Sequence, residues 1–257
     1  MVGLGLLVAP WISGFIHPFQ KEQEAIDALA LQQTVEFVNS KLGEPQQSED
    51  LCSRTLICEP DTTHRPILNI YHDEHYTVRA VFDDNSLEFF SVTLVSGKFK
   101  PHRAGNYDIG TLGDKTYKEA FQGLSTTEAA VTETPRSGMS YAEVTPLGAP
   151  GRYTGLVLAY SPNGFTNLPL DVNAARKLLA AQTSAGGRLT GLSAAESFRA
   201  NSVPNTFGLF HDDGYVGNLL HDPQKAMSIL HEGSNSDSRS ISGVAESLTS
   251  GPTDGPR

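Results

Sequence analysis

Two groups of histidines and carboxylates are the residues best suited to chemistry in this chain of 257 amino acids. The first group is the run 72–75, His-Asp-Glu-His. It is predicted at the tip of a β-hairpin, where His72 and His75 would be cross-strand neighbours. Two imidazoles placed in this way can share a metal ion such as zinc. An exposed tight turn favours the same polar residues because they stay solvated, so a structural role and a metal site both remain open.

The second group is His211-Asp212-Asp213, followed in the chain by His221-Asp222 and His231-Glu232. A histidine paired with a carboxylate can act as an oriented general base. Asp212 and Asp213 also suit a turn, and Asp222 suits the N-cap of a helix. No serine or cysteine stands out as a nucleophile, and the chain has no G-x-S-x-G, H-E-x-x-H or glycine-rich phosphate-loop motif. We therefore predict no catalytic residues and no cofactor, with a hydrolase as the alternative.

The chain has two cysteines, Cys52 and Cys58. Their spacing does not match a zinc knuckle, and there is no second pair of cysteines to complete four metal ligands. Two interpretations remain open. The cysteines form a small-loop disulfide in an oxidising compartment, or they are two reduced thiols in the cytosol.

Composition excludes one class of partner. The formal net charge is −10, and lysines and arginines are scattered along the chain. A protein that binds nucleic acid needs a concentrated positive surface to neutralise phosphates. We therefore predict that nucleic acid is not a partner.

The segment of residues 2–16 is uncharged and apolar, and it is followed directly by a polar stretch. It is shorter than the span of about twenty residues that a transmembrane helix needs. No lysine or arginine precedes it, as one would in a secretory signal. A shortened membrane helix, a poor signal peptide and a buried helix are the alternatives. Trp11 suits a membrane interface, so we predict a single-pass membrane protein anchored through residues 1–16, with the folded part outside the cytoplasm.

Residues 67–95 have the clearest structural period in the chain. Apolar and polar residues alternate in this stretch, and turn formers interrupt it at 73–74 and 83–86. This pattern predicts a three-stranded antiparallel meander. Residues 20–42 instead show helical spacing and end at Gly43, with Pro45 beyond. We predict one amphipathic helix that packs on the meander.

The part of the chain after residue 100 is predicted to form a second β-rich unit. A capping box of Thr116 and Glu119 starts a short helix. Short helices are also predicted after Asn173, Ser193 and Asp222. The predicted strands are 129–134, 139–145, 152–160 and 205–211. From Ser234 onward the composition predicts a disordered tail. The predicted fold class is α+β, with an N-terminal hydrophobic helix, an amphipathic helix on an antiparallel meander, and a second antiparallel β unit with short helices. The predicted units are 1–18, resembling a membrane anchor, then 19–100, 101–233 and the tail 234–257.

A faint internal echo relates the two units. A strand that begins Tyr76-Thr77 and ends at Phe82 is followed by Asn85, and one that begins Tyr153-Thr154 and ends at Tyr160 is followed by Asn163. Tandem duplication of one helix-plus-sheet unit would explain the echo. Coincidence among common strand and turn residues would also explain it.

Residues 34–95 contain a short pattern: Val38, Leu42, Gly43 and Pro45 at the end of a helix, an aromatic strand residue at Tyr71, and Phe82-Asp83 before a turn. With this pattern, the stretch resembles the BamE/SmpA-type module of bacterial envelope proteins. It implies a helix packed on three strands, although the lipid-anchoring cysteine of that family is absent here. The whole layout is similar to uncharacterised bacterial membrane-anchored proteins with an ETEC-type domain, a resemblance that brings no catalytic residues.

These patterns favour a membrane-anchored, non-catalytic interaction or scaffold protein of the bacterial envelope. It would bind a protein partner through a sheet edge or an apolar face. A metal-binding module or a hydrolase built on the histidine and carboxylate groups is the alternative.

Overall fold

The structure is a computed structural model. It describes residues 19–53, 57–58, 63–101, 103–104, 107–108, 112–120, 128–134, 138–147, 154–184 and 193–231. The predicted anchor, residues 1–18, and the predicted tail, residues 234–257, lie outside the described residues. Within the described ranges, no helix is both long enough and apolar enough to cross a membrane.

An antiparallel sheet of eight strands forms the centre of the molecule, in the order β1-β2-β3-β4-β10-β9-β8-β7. Two further short strands, β5 and β6, pair with each other in a second sheet. The α+β fold class with an antiparallel meander is confirmed. The strands are β1 Gln47–Asp50, β2 Ile67–His72, β3 Tyr76–Asp83, β4 Ser86–Leu94, β5 Arg103–Ala104, β6 Tyr107–Asp108, β7 Glu128–Thr134, β8 Gly138–Pro146, β9 Thr154–Tyr160 and β10 Thr206–His211.

Helices cover the sheet. They are α1 Gln20–Asp27, α2 Val35–Leu42, α3 Tyr117–Ala120, α4 Val172–Ser184, α5 Ser193–Asn201, α6 Tyr215–Leu220 and α7 Pro223–His231, with a 3-10 turn at Leu51–Ser53. The Thr116 and Glu119 capping box forms at the start of α3: the Glu119 carboxylate accepts the Thr116 N–H at 2.9 Å, and Thr116 Oγ1 accepts the Glu119 N–H at 3.3 Å. These bonds to Thr116 lower the pKa of Glu119.

The single helix predicted over residues 20–42 is wrong, because α1 and α2 are separate. The side chain of Gln33 bonds the Ala30 N–H and the Ala28 carbonyl, two backbone groups that a continuous helix would use itself. Thr34 then starts α2 by accepting the Phe37 N–H on its hydroxyl at 3.3 Å. The predicted end of α2 is confirmed at Gly43, whose φ of +83° favours glycine.

The cap predicted at Asn173 is also wrong. The carboxylate of Asp171 accepts the Ala174 N–H at 2.9 Å, so α4 begins at Val172. Asp171 and Asn173 are both good capping residues, and sequence spacing alone could not choose between them.

The predicted meander is β2, β3 and β4. The β3–β4 turn consists of Asp84 and Asn85, which both have positive φ (49° and 65°). This conformation is typical of a two-residue type I′ hairpin turn, for which Asp and Asn are suited. Strand β1 was not predicted, and it adds to the outer side of β2.

The two predicted units share one sheet, because β10 pairs with β4 in the register Gly208↔Ser91. Strands β3 and β9 are each third from an edge of that sheet. These are the two strands that carry the internal echo, and their equivalent positions suit a duplication. Duplication itself stays a prediction.

Each side of the sheet packs against its own hydrophobic core. On the front face, which carries Val78, Phe90 and Leu158, the core includes apolar residues of α2, α4 and α5. On the back face, which carries Val81, Phe89 and Val157, it includes residues of α6 and α7 together with Leu51 and Ile57. Within the part of the chain that the structure describes, both apolar faces of the sheet are therefore buried.

Candidate functional site

The two edges of the sheet are the places where its backbone can meet a partner, because both faces are covered. One edge is β1 and the other is β7. In β1, Gln47 and Ser48 are exposed, and Glu49 and Asp50 are half-buried. In β7, Ala129, Ala130 and Val131 are buried. The two edges therefore differ in their access to solvent.

The outward backbone groups of β1 follow from its hydrogen bonds to β2. The Leu51 N–H donates to the Pro66 carbonyl at 3.0 Å, on the β2 side. Because these groups alternate along an antiparallel strand, Gln47 and Glu49 also turn towards β2, and Ser48 and Asp50 point outward. The Asp50 carbonyl accepts the Ser53 hydroxyl at 2.7 Å. Ser48 is therefore the centre of the open edge.

The β7 edge is protected at Val131 by a side chain of α4. Gln182 Oε1 accepts the Val131 N–H at 2.9 Å, and both residues are buried. A side chain that takes an outward N–H protects an edge strand against pairing with another chain. Among the described residues, a side chain thus protects the β7 edge at Val131, whereas Gln47 and Ser48 of the β1 edge are exposed.

Replacing Gln182 by methionine should lower the free energy of unfolding by about 1–3 kcal/mol, because the buried Val131 N–H then loses its acceptor. Chemical denaturation measures the loss. Lys177→Met, on an exposed position of the same helix, is the control and should change stability little. Equal stability of Gln182→Met and Lys177→Met would contradict the role of Gln182.

A disulfide between Cys52 and Cys58 closes the loop that follows β1. Leu51 and Ile57 flank its two ends and are buried in the back-face core. The loop is therefore held both covalently and by apolar packing. This arrangement fixes the carboxyl end of β1 against the sheet.

Replacing both cysteines by serine should lower the free energy of unfolding by roughly 2 kcal/mol, the loop-closure value for a loop this short. A reductant should lower the stability of the wild-type protein by a similar amount and leave the double variant unchanged. Thermal unfolding with and without reductant gives both values. A double variant as stable as the oxidised wild type would contradict the prediction.

The two histidines predicted to share a metal have separate partners. His72 Nδ1 lies 3.1 Å from Thr77 Oγ1, and His75 Nδ1 lies 3.0 Å from Ser96 Oγ. The expected cross-strand pairing of the histidines is wrong: His72 is opposite Thr77, and His75 lies in the turn, where the Asp73 N–H donates to the Tyr76 carbonyl at 2.9 Å. Partial burial and the nearby Arg79 lower the pKa of His72. Metal binding at His72 and His75 stays a prediction, and among the described residues no group of three or more His, Cys, Asp and Glu is placed to hold a metal ion.

Histidine–carboxylate pairs lie at the end of the sheet next to the β3–β4 turn, which we call the rim. His221 Nε2 is 2.6 Å from Asp212 Oδ1, as the grouping in the sequence suggested. His211 contacts Asp213 at 3.0 Å through Nε2 and Glu88 of β4 at 3.2 Å through Nδ1. Asp222 accepts the Lys225 N–H in its predicted role at the start of α7.

A third pair at the rim joins His64, which precedes β2, to Asp83 at the end of β3, with Nδ1 and Oδ2 2.6 Å apart. The His64 ring stacks on Tyr215 of α6, with ring centroids 4.6 Å apart. Sequence reasoning missed His64, Asp83 and Glu88 because their partners are distant in the chain. The pairs can orient imidazoles for proton transfer, and they also connect β3, β4, β10 and α6.

His231 is remote from the rim. Its backbone carbonyl accepts a hydrogen bond from Asn163 Nδ2 at 2.9 Å, and Asn163 follows β9 at the opposite end of the sheet. Its side chain is buried, and within the described residues neither ring nitrogen has a hydrogen-bond partner. Burial, with a smaller effect of Arg79, lowers the pKa of His231 to about 3. Its partner in the predicted group, Glu232, lies outside the described residues.

A buried carboxylate in the front-face core was also missed. Glu143 of β8 is fully buried, and its Oε1 lies 3.1 Å from Arg199 Nε of α5. Tyr141 donates its hydroxyl to the same oxygen at 2.6 Å. Burial raises the pKa of Tyr141 well above its ordinary value, so the phenol remains a proton donor.

No protein-family model matches the chain, and no curated protein matches it. A solved structure that matches is that of a "putative beta-lactamase inhibitor protein" from Streptococcus mutans, with 13% sequence identity and a TM-score of 0.25. The match covers 55% of this chain and 88% of that one. At this sequence identity and TM-score, the structural similarity carries no argument about function.

Proposed function

We propose that this chain is a non-catalytic scaffold protein that binds an extended segment of a partner protein along the β1 edge. The observation that carries the proposal is the exposed position of Ser48, whose backbone groups are placed away from β2, on a sheet whose two faces are covered among the described residues. At the β7 edge, Ala129, Ala130 and Val131 are buried, and Gln182 takes the Val131 N–H. An added strand would gain main-chain hydrogen bonds from this edge.

The short length of β1 limits what this edge can bind. Strand β1 has four residues, so a partner strand would gain only a few backbone hydrogen bonds, each worth about 0.5–1.5 kcal/mol. Short edge strands resist indiscriminate pairing with other chains. Affinity would therefore also depend on side chains of the partner, which gives the edge selectivity for one protein.

Attachment to a membrane belongs to the same proposal. The uncharged segment of residues 2–16 supports an anchor, and the Cys52–Cys58 disulfide supports an oxidising compartment for the folded part. The resemblance of residues 34–95 to BamE/SmpA-type modules supports the bacterial envelope. Labelling of thiols in intact cells tests this point, because both cysteines should react only after reduction, and free thiols would contradict it.

Replacing Ser48 by proline tests the docking edge. The variant removes an N–H that points away from β2, so it blocks an added strand without removing a bond to β2. Ser48→Ala, which keeps the N–H, is the matched control. Proteins that co-purify with the full-length wild type should be retained by Ser48→Ala and bind Ser48→Pro about ten-fold more weakly. Equal retention by both variants, with equal melting temperatures, would contradict docking at β1.

General acid–base chemistry at the rim is a second candidate function, favoured by the 2.6 Å contact between His221 and Asp212. Hydrolysis of simple 4-nitrophenyl esters by the wild type and by His221→Ala separates the two functions. Turnover that depends on His221 would favour a hydrolase. A rate equal to that of the buffer would favour the scaffold.

A further inference from the structure

Helix α7 covers part of the back face of the sheet. Its residues Ala226, Met227, Ile229 and Leu230 are buried in one core with Val144 of β8 and other back-face residues of the sheet. The helix begins after Asp222, near the rim, and ends at His231. The last turn of α7 thus brings a titratable ring beneath the protein surface.

The surroundings of that ring suit only its neutral form. The side chain of His231 is buried, and within the described residues both ring nitrogens lack a hydrogen-bond partner. The charged group that acts on it from the sheet is the Arg79 guanidinium of β3, which remains protonated at all ordinary pH values. A proton on His231 would therefore place a positive charge in a buried site, and the field of Arg79 adds to that cost.

Among the described residues, the other groups near this end of α7 do not supply a compensating charge. Asn163 donates its side-chain amide to the backbone carbonyl of His231. Ser91 of β4, opposite Arg79 in the sheet, is neutral. His72 of β2, which is exposed, is likewise affected by Arg79. Asp222 and Lys225 lie at the far end of the helix, about two turns away.

We propose that the last turn of α7 is a proton-released cover: uptake of a proton by His231 detaches this turn from the back face of the sheet. Detachment would expose the imidazole to water and separate it from Arg79. It would also open the part of the back face that this turn covers. This inference is independent of docking at β1.

The size of the effect follows from linkage. The pKa of His231 is about 3 in the closed protein and close to 6.5 when the ring is exposed. Because the closed form binds fewer protons, opening is favoured as the pH falls below about 6.5, and the effect is complete below about 3. At pH 5.0, opening of this turn should be about thirty-fold more favourable than at pH 7.5.

Hydrogen exchange of the full-length protein at pH 7.5 and 5.0, corrected for intrinsic exchange rates, tests the cover. We expect protection of amides at residues 227–231 to fall about thirty-fold in the wild type, while amides of β8 and β9 keep their protection. His72→Gln, which alters an exposed histidine, should behave as the wild type does. His231→Gln and His231→Phe, whose side chains do not titrate, should show no such fall.

Three outcomes would overturn the proposal. The wild type could keep its protection at pH 5.0, or a folded His231 variant could lose protection as the wild type does. An equal loss in β8 and β9 would show that the whole domain unfolds instead of one turn. The phenylalanine variant fills the buried site with an apolar ring, so a result is available even when glutamine is not tolerated there.

Discussion

Replacing Arg199 by alanine should lower the free energy of unfolding by about 3–5 kcal/mol, the usual cost of removing one partner of a buried ion pair. Glu143 is fully buried, and it would lose the guanidinium 3.1 Å away. The Tyr141 hydroxyl would remain as a donor to the carboxylate, but it carries no compensating charge. Urea denaturation at neutral pH measures the loss.

A second ion pair between a helix and a strand supplies the control. Arg176 of α4 contacts Glu133 of β7 at 3.2 Å, with side chains that are 61% and 36% exposed. Arg176→Ala should therefore cost about 0–1 kcal/mol. Replacing Arg199 and Glu143 together by methionine and leucine should recover most of the loss, because an apolar pair leaves no buried charge. An equal loss of unfolding free energy in Arg199→Ala and Arg176→Ala would contradict the prediction that the buried Glu143 carboxylate needs its charged partner.

Replacing Phe210 by alanine should lower the free energy of unfolding by about 3–5 kcal/mol through loss of buried area and formation of a cavity. Phe210 of β10 is fully buried in the back-face core. Its ring lies over Gly155, the residue opposite it on β9. A Cβ atom on Gly155 would lie 1.9 Å from Cζ of Phe210, so any side chain at position 155 requires the Phe210 ring to move.

A double-mutant cycle tests this packing. Gly155→Ala alone should cost about 1–3 kcal/mol, because the added methyl group displaces the Phe210 ring. In the Phe210→Ala background, the same methyl group enters vacated space, so the double variant should lose less than the sum of the two single losses. Strictly additive losses would contradict the contact between the ring and Gly155.

Local patterns in the sequence predicted most of the strands. The alternation in residues 67–95, the turn at 83–86 and the helix end at Gly43 all depend on neighbours in the chain. The break between α1 and α2 was missed because Gln33 interrupts the helix with its side chain, whereas the apolar spacing continues through it. Strand β1 was missed because its four residues, QSED, are all polar and carry no alternating signal.

The arrangement of the candidate sites depends on pairings between distant parts of the chain. His211, Asp212, Asp213 and His221 are close in sequence and could be grouped. Glu88 joined them only because β10 pairs with β4, a contact that no local pattern encodes. The burial of His231 depends on the position of α7 on the sheet. Which strand is an open edge depends on the order of all eight strands.

The buried carboxylate had no signal of its own in the sequence. Tyr141, Glu143 and Thr145 alternate with Ala142 and Val144, the pattern of a strand with one solvated face, yet all five residues are buried in the structure. A charge buried in a strand requires a partner. Arg199 could not be identified as that partner, because α5 reaches β8 only in the folded protein.

Amide hydrogen exchange at Ser48, measured with and without a co-purified partner, tests the proposed function most directly. In the free protein, the Ser48 amide should exchange rapidly, while the Val131 amide at the other edge should be protected by Gln182. Binding of the partner should protect Ser48 and leave Val131 unchanged. A bound partner that leaves the Ser48 amide as unprotected as in the free protein would contradict docking along β1.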